Sequence, residues 1–227
     1  MNAEERELYR YLREMVNADR LDLIEQILDR RTRYLAVVLE DIYQPHNASA
    51  VFRSCDCFGI QDVHVIENRN TLETIREVEL GSAQWLSIYR HNAQENNTVH
   101  TLNRLRSQGY RLVATTPHKE DTQLEDFDLS AGKTALLFGT EIRGLSLEAL
   151  EMADAYVKIP MVGFTESFNI SVSAAIILYQ LRQKLEASRL TWQLTEEEKA
   201  IIRYHWVKNS VKNVSMIEKA LRKRLNI

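Results

Sequence analysis

Six short apolar runs recur through the middle of this chain, and their spacing restricts the fold more than any other feature. They are YLAVVLED (34–41), DVHVIE (62–67), WLSIYRH (85–91), YRLVATT (110–116), TALLFG (134–139) and AYVKIP (155–160). Each is too short for a buried helix and rich in β-branched or aromatic residues, as a strand buried on both faces requires. Helical stretches separate them, at 47–58, 72–80, 95–107 and 146–152, followed by a long one at 169–186. Gly59, Gly81 and Gly109 follow the first three, where a left-handed helix C-cap favours glycine. Strands alternating with helices predict an α/β fold with a mostly parallel sheet covered on both faces. Residues 3–29 read as two short helices broken near Asn17–Asp19, and 195–207 and 214–226 as two more. The expected division is an N-terminal helical extension (1–33), a central α/β domain (34–186) and a C-terminal helical extension (187–227).

Charge is distributed unevenly along this frame. From Arg203 onward there are seven lysines and arginines against one acidic residue, whereas 34–185 carries 13 basic against 19 acidic side chains. A basic tail beside an acidic body predicts a localised polyanion contact, with Arg203, Lys208, Lys212 and Arg222 as the candidate cations. No apolar run is long enough to span a bilayer, and the charged, helical start MNAEERELYRYLREM does not read as a signal peptide. Cys55 and Cys57, two apart in a helix, suit neither a disulfide nor a zinc site. They read as buried thiols in a reducing cytoplasm, and no motif supplies metal ligands.

Ligands of open α/β sheets bind outside the carboxyl ends of the strands. After the first run comes IYQPHNASAVFRS, which has no glycine and so is no dinucleotide loop. Asn47 is placed to cap a helix whose apolar side is Val51, Phe52 and Cys55. Arg53, six residues on, lies about 240° around the helix and shares no face with Asn47. After the fifth run, FGTEIRGLS offers two glycines and Glu141 but lacks the Lys-Ser/Thr of a phosphate-binding P-loop. After the sixth comes IPMVGFTESFNISVS. Ser167 or Asn169 can cap the next helix, but capping needs one residue, and here Ser167, Asn169, Ser171 and Ser173 alternate over seven positions.

These loops, taken in order, resemble the motifs of the SpoU branch of the SPOUT superfamily of RNA methyltransferases. The matching elements are Asn47-Ala-Ser49 with Arg53, then Gly139-Thr-Glu141-Ile-Arg-Gly144-Leu145. Ile159-Pro-Met161-Val-Gly163 and Ser167-Phe-Asn169-Ile-Ser171 complete the set. Phe168 and Ile170 stand where the family carries leucine and valine, and both stay apolar. Helices at both ends make the chain most similar to the tRNA guanosine-18 ribose 2′-O-methyltransferases. Methylation of ribosomal RNA or of another tRNA position, and a catalytically silent RNA-binding relative, are the other readings that the pattern leaves open.

The resemblance implies a C-terminal deep trefoil knot, a homodimer assembled through it and a bent S-adenosylmethionine within it. It implies that Thr115, Gly139, Ile159 and Phe168 line the adenosyl pocket, largely through backbone. Asn47, Arg53, Glu141, Ser167 and Asn169 would form the catalytic set. The family's arginine at the Arg53 position is assigned to activating the 2′-hydroxyl. A guanidinium with a pKa above about 12 stays protonated, so its better physical role is to clamp a phosphate and stabilise a developing alkoxide.

Overall fold

Alternation along one interior strand creates two cores. In a computed structural model describing residues 1–72, 81–116 and 122–225, Leu35, Val37 and Leu39 of β1 (Thr32–Glu40) enter one core, and Ala36 and Val38 the other. The strand β6 (Thr134–Phe138) repeats the pattern, with Leu136 and Phe138 on the first face and Ala135 and Leu137 on the second. The first face is covered by α3 (Pro45–Cys57) and α6 (Ile170–Ala187), which bury Val51, Phe52, Ile177 and Leu181. The second is covered by α4 (Asn97–Ser107) and α5 (Leu147–Glu151), through Leu102, Leu105 and Ala149. Burying a side chain of the Val–Leu–Phe class contributes about 1.5–3 kcal/mol, so both faces drive folding.

The remaining strands are β2 (Ile60–Ile66), β3 (Ser87–His91), β4 (Arg111–Thr115), β5 (Thr122–Gln123) and β7 (Ala155–Lys158). They order as β3-β2-β1-β6-β4-β7-β5, and every described pairing is parallel. The late strand β6 therefore inserts between β1 and β4, in register from Leu35↔Thr134 to Leu39↔Phe138. Because the strands are parallel, the loops after β1, β4, β6 and β7 all leave from one edge of the sheet.

The expected strands are present, with shifts that have local causes. Asp41, at φ 53°, turns the chain out of β1 one residue early. Residues 82–85 form a 3-10 turn, which delays β3 to Ser87. The two-residue β5 is too short to show a pattern. Gly59 and Gly109 take positive φ as helix C-caps should, but Gly81 has φ −94° and is no left-handed cap. Its helix, expected at 72–80, lies outside the described residues apart from Leu72. Cys55 is buried, but Cys57 is exposed. Two residues along a helix turn the side chain through about 200°, so both thiols could not face the same core.

Residues 32–192 make up one compact unit; 1–31 and 193–227 make up a second. The second contains α1 (Ala3–Glu14), α2 (Ala18–Leu28), α7 (Glu196–Ser210) and α8 (Val214–Leu225). Capping boxes at Asn2/Glu5 and Thr195/Glu198 start α1 and α7. Leu8, Leu12, Ile24, Leu28, Ile202 and Trp206 are buried there, and the Arg31 guanidinium lies 5.0 Å from the Trp206 ring centroid.

Candidate active site

Pro45 decides where α3 begins. As the first helical residue it supplies a preset φ and lacks the N–H that would go unsatisfied, so Gln44 is the N-cap and makes no side-chain cap bond. Asn47 consequently sits inside the first turn and is not the cap that its sequence position suggested. Its side chain is free for tertiary contacts: Nδ2 donates to Gln44 Oε1 at 3.1 Å, and Oδ1 accepts from Asn169 Nδ2 at 3.1 Å.

Asn169 is the cap of α6. Its Oδ1 accepts from the Ser171 backbone N–H at 2.8 Å and from the Ser171 hydroxyl at 2.5 Å. Its Nδ2 donates to Asn47 and also to the Glu141 carboxylate. One amide therefore joins the loops after β1, β6 and β7, with donor and acceptor ends both engaged. The polar head of this helix performs a cap and a crosslink together.

The loop after β6 is rigid by construction. Thr140 and Gly144 exchange both backbone hydrogen bonds, at 3.0 and 2.9 Å, and Gly144 takes φ 67°. A Cβ on Gly139 would overlap the backbone of Gly144 and Leu145, so only glycine permits this closure. The loop separates two clefts. The smaller, about 370 Å³, is lined by Thr115, Gly139, Ile159, Ser167 and Phe168 among others, so the four expected cofactor residues and Ser167 come together. The larger, about 730 Å³, includes Asn47, Tyr43 and Asn96, and Glu141 borders both. The Thr115 hydroxyl donates to the Leu137 carbonyl at 2.8 Å, tying the ends of β4 and β6 beside the smaller cleft.

The smaller cleft suits S-adenosylmethionine on its own chemistry. Val157, Ile159, Met161 and Ile177 offer an apolar wall for an adenine ring, and Glu141 and Glu166 put carboxylates where a sulfonium would be favoured. Its volume lies within the usual range for small-molecule sites, about 300–1,000 Å³.

Arg53 stands apart. It is exposed on α3, borders neither cleft, and its guanidinium makes no hydrogen bond or ion pair with another described residue. The candidate RNA-binding cations lie in the unit formed by the termini. Arg203 pairs with Glu25 at 2.5 and 2.7 Å, Lys208 with Glu218 at 2.7 Å, and Arg222 with Glu4. Lys212 is exposed. Sequence reasoning passed over Glu40, a buried carboxylate beside the glycine loop; the available signal was an acid ending the otherwise apolar run VVLE. Among the described residues, no helix is long and apolar enough to cross a membrane.

The pattern of the SpoU rRNA Methylase family matches residues 34–179. The chain is 44% identical over 195 residues to a tRNA (guanosine(18)-2′-O)-methyltransferase of Borreliella burgdorferi, covering 86% of this chain and 87% of the relative. Its structure is similar to that of the Aquifex aeolicus TrmH/SpoU tRNA modifying enzyme, with a TM-score of 0.73 and 31% identity, covering 85% of this chain and 97% of that one. It is also similar to the SpoU methyltransferase AviRb from Streptomyces viridochromogenes in complex with the cofactor AdoMet. There the TM-score is 0.59 and the identity 27%, over 72% of this chain and 62% of that one.

Proposed function

The chain belongs to the SpoU methylase family, and from that premise we infer that it methylates the ribose 2′-hydroxyl of guanosine 18 in tRNA. The methyl group is drawn from S-adenosylmethionine, held in the smaller cleft. The observation that carries this reading is the Asn169 amide, which joins Asn47 and Glu141 on the wall between two clefts. A transfer between two bound molecules needs adjoining sites with a fixed relation, because most of the rate enhancement comes from alignment.

The cofactor supplies an electrophilic methyl on a cationic sulfur. The chain's residues align an oxygen with it and stabilise the charge that develops. Thr115, Gly139, Ile159 and Phe168 form the adenosyl wall, and the apolar lining excludes water. Glu141, oriented by Asn169, favours positive charge at the cleft. Ser167 borders the same cleft, from which its hydroxyl would reach the reacting groups. Arg53 clamps an RNA phosphate and the incipient alkoxide. It is too far around α3 to serve the Asn47 cluster of its own chain, so we assign it to the site of a partner chain related by a two-fold axis.

The dimer reading is supported by exposed Val162 and Phe164 on the loop after β7, with Phe168, Val172 and Tyr179 exposed beside them or on α6. Exposed large apolar side chains gathered on one loop and the helix that follows it favour a protein contact. We further propose the family's trefoil knot for the segment after β6, dimerisation through it, 34–186 as the methyltransferase domain with helical flanks at 1–33 and 187–227, and residence in the cytoplasm. Arg203, Lys208, Lys212 and Arg222 are the proposed RNA contacts. The test is methyl transfer from labelled S-adenosylmethionine to a tRNA transcript, compared with one carrying 2′-deoxyguanosine at position 18. Equal incorporation into both would exclude this target.

A further inference from the structure

Glu40 is 3% exposed at the end of β1, and none of the chemistry above uses it. Its Oε1 accepts from the Thr98 hydroxyl at 2.5 Å and from the Ser146 hydroxyl at 2.7 Å, and its Oε2 accepts from the Ser146 backbone N–H at 2.8 Å. Burying a carboxylate is costly unless charge-assisted hydrogen bonds offset the lost hydration. Two of these three bonds go to one residue, Ser146. That residue closes the glycine loop and caps α5, its hydroxyl accepting from the Ala149 N–H at 3.1 Å.

The loop held in this way is stiff inside. Besides the paired Thr140–Gly144 bonds, the Arg143 N–H donates to the Thr140 hydroxyl at 3.1 Å. A stiff loop fixed to β6 at one end keeps its orientation only if its other end is held. We propose that Glu40 is a positioning residue for methyl transfer. By gripping Ser146 it sets the tilt of the loop that carries Glu141 to Asn169 and Gly139 to the smaller cleft. This rests on the methyltransferase reading above. Glu40 acts through the loop and not on the RNA or the cofactor.

Glu40→Gln tests this with almost no change in volume. With the amide nitrogen facing Ser146 N–H, donor opposes donor. With the amide reversed, the Ser146 and Thr98 hydroxyls both lose their acceptor, and each already accepts elsewhere, from Ala149 N–H and from Asn68 Nδ2. The expected result is a kcat lowered about 10- to 100-fold by misplacement of the reacting groups. The KM for tRNA should stay within about threefold of wild type, which marks an effect on the transition state. Ser146→Ala should lower kcat in the same sense, Ser146→Thr should restore it, and the pair Glu40→Gln/Ser146→Ala should be no slower than Glu40→Gln alone. Thr98→Val removes the bond from α4 to Glu40 and the contact with Asn68 but leaves both bonds to Ser146, so it should lower the melting temperature while kcat stays within about twofold.

Folded, active Glu40→Gln with wild-type kcat would overturn the proposal. Multiplying losses in the double variant would do the same, as would a Thr98→Val defect equal to that of Ser146→Ala. If Glu40→Gln does not fold, the contrast between Ser146→Ala and Thr98→Val decides alone. Wild-type protein without methyl transfer would instead sink the enzymatic reading, a result distinct from all of these.

Discussion

Asn169 and Asn47 lie 122 residues apart in the chain, yet their amides share a 3.1 Å hydrogen bond at the edge of the sheet. Asn169 also grips Glu141 and caps its own helix, so a single side chain sets the spacing of three loops. Replacing it by alanine removes the cap and the crosslink together. We expect about 1 kcal/mol of lost stability from the cap, with the protein still folded. Affinity for S-adenosylmethionine should fall, as it should in Phe168→Asp, where a charge enters the wall of the smaller cleft. Calorimetric titration of both folded variants checks this, and unchanged affinity in the two would remove the cofactor from this cleft.

Arg53 and Asn169 should complement each other across subunits. Arg53→Ala and Asn169→Ala homodimers are each expected to be nearly inactive. Mixed after reversible dissociation, half the dimers pair one chain of each kind, and each of these has one intact site in two. Recovery should approach about 25% of wild-type activity. Heterodimers verified by mass spectrometry that remain inactive would place Arg53 in the site of its own chain.

The basic tail is better tested by point variants than by truncation. Helices α7 and α8 share a unit with α1 and α2, and Ile202, Trp206 and Leu221 are buried in it, so deleting them would strip α1 and α2 of apolar cover. Lys212, Lys219, Lys223 and Arg224 are exposed. Changing all four to alanine should weaken tRNA binding and reduce the slope of log affinity against log salt by about one for each phosphate no longer neutralised. Cofactor affinity should not change. A wild-type salt slope in this variant would show that these four exposed cations do not hold RNA, Lys212 among the proposed contacts included.

Acid stability should depend on His64. Its Nδ1 lies 3.1 Å from His91 Nε2, and its ring stacks on Tyr89. Burial, then the neighbouring His91 and Arg104, push its pKa down to about 3. Burial, with Arg104 and His100, lowers that of His91 too. The sign follows from linkage: above an unfolded-state pKa near 6.5 both states are neutral and stability is complete. As pH falls below that value the unfolded chain takes up protons first. Roughly 2 kcal/mol should be lost by pH 5 from His64 alone, and the loss continues until the folded-state value near 3 is reached. Urea unfolding from pH 8 to pH 4 measures this, and His64→Phe should flatten the profile. An unchanged slope would mean that another group governs it.

The sequence by itself determined the parallel α/β frame, because hydrophobic period and strand length are local properties that either suit a two-faced sheet or do not. Runs such as YLAVVLED announce strands buried on both sides, and the glycines at 59 and 109 announce helix ends. It also indicated that the loops carrying Asn47, Glu141 and Asn169 would meet, since the loops after parallel strands leave one edge together, whereas Arg53 stands away from them. What tertiary structure decided was the use made of each side chain. Asn47 looked like a cap, and only the early helix start at Pro45 released it to meet Asn169. Glu40 looked like the polar end of an apolar strand, and only the arrival of Ser146, 106 residues later, gave its carboxylate a partner. The insertion of β6 beside β1 produces the second contact, and the packing of α6 against α3 on one face of the sheet produces the first. A hydrogen bond between residues so far apart leaves no periodic trace in the chain, because it depends on strand order, which local pattern does not encode.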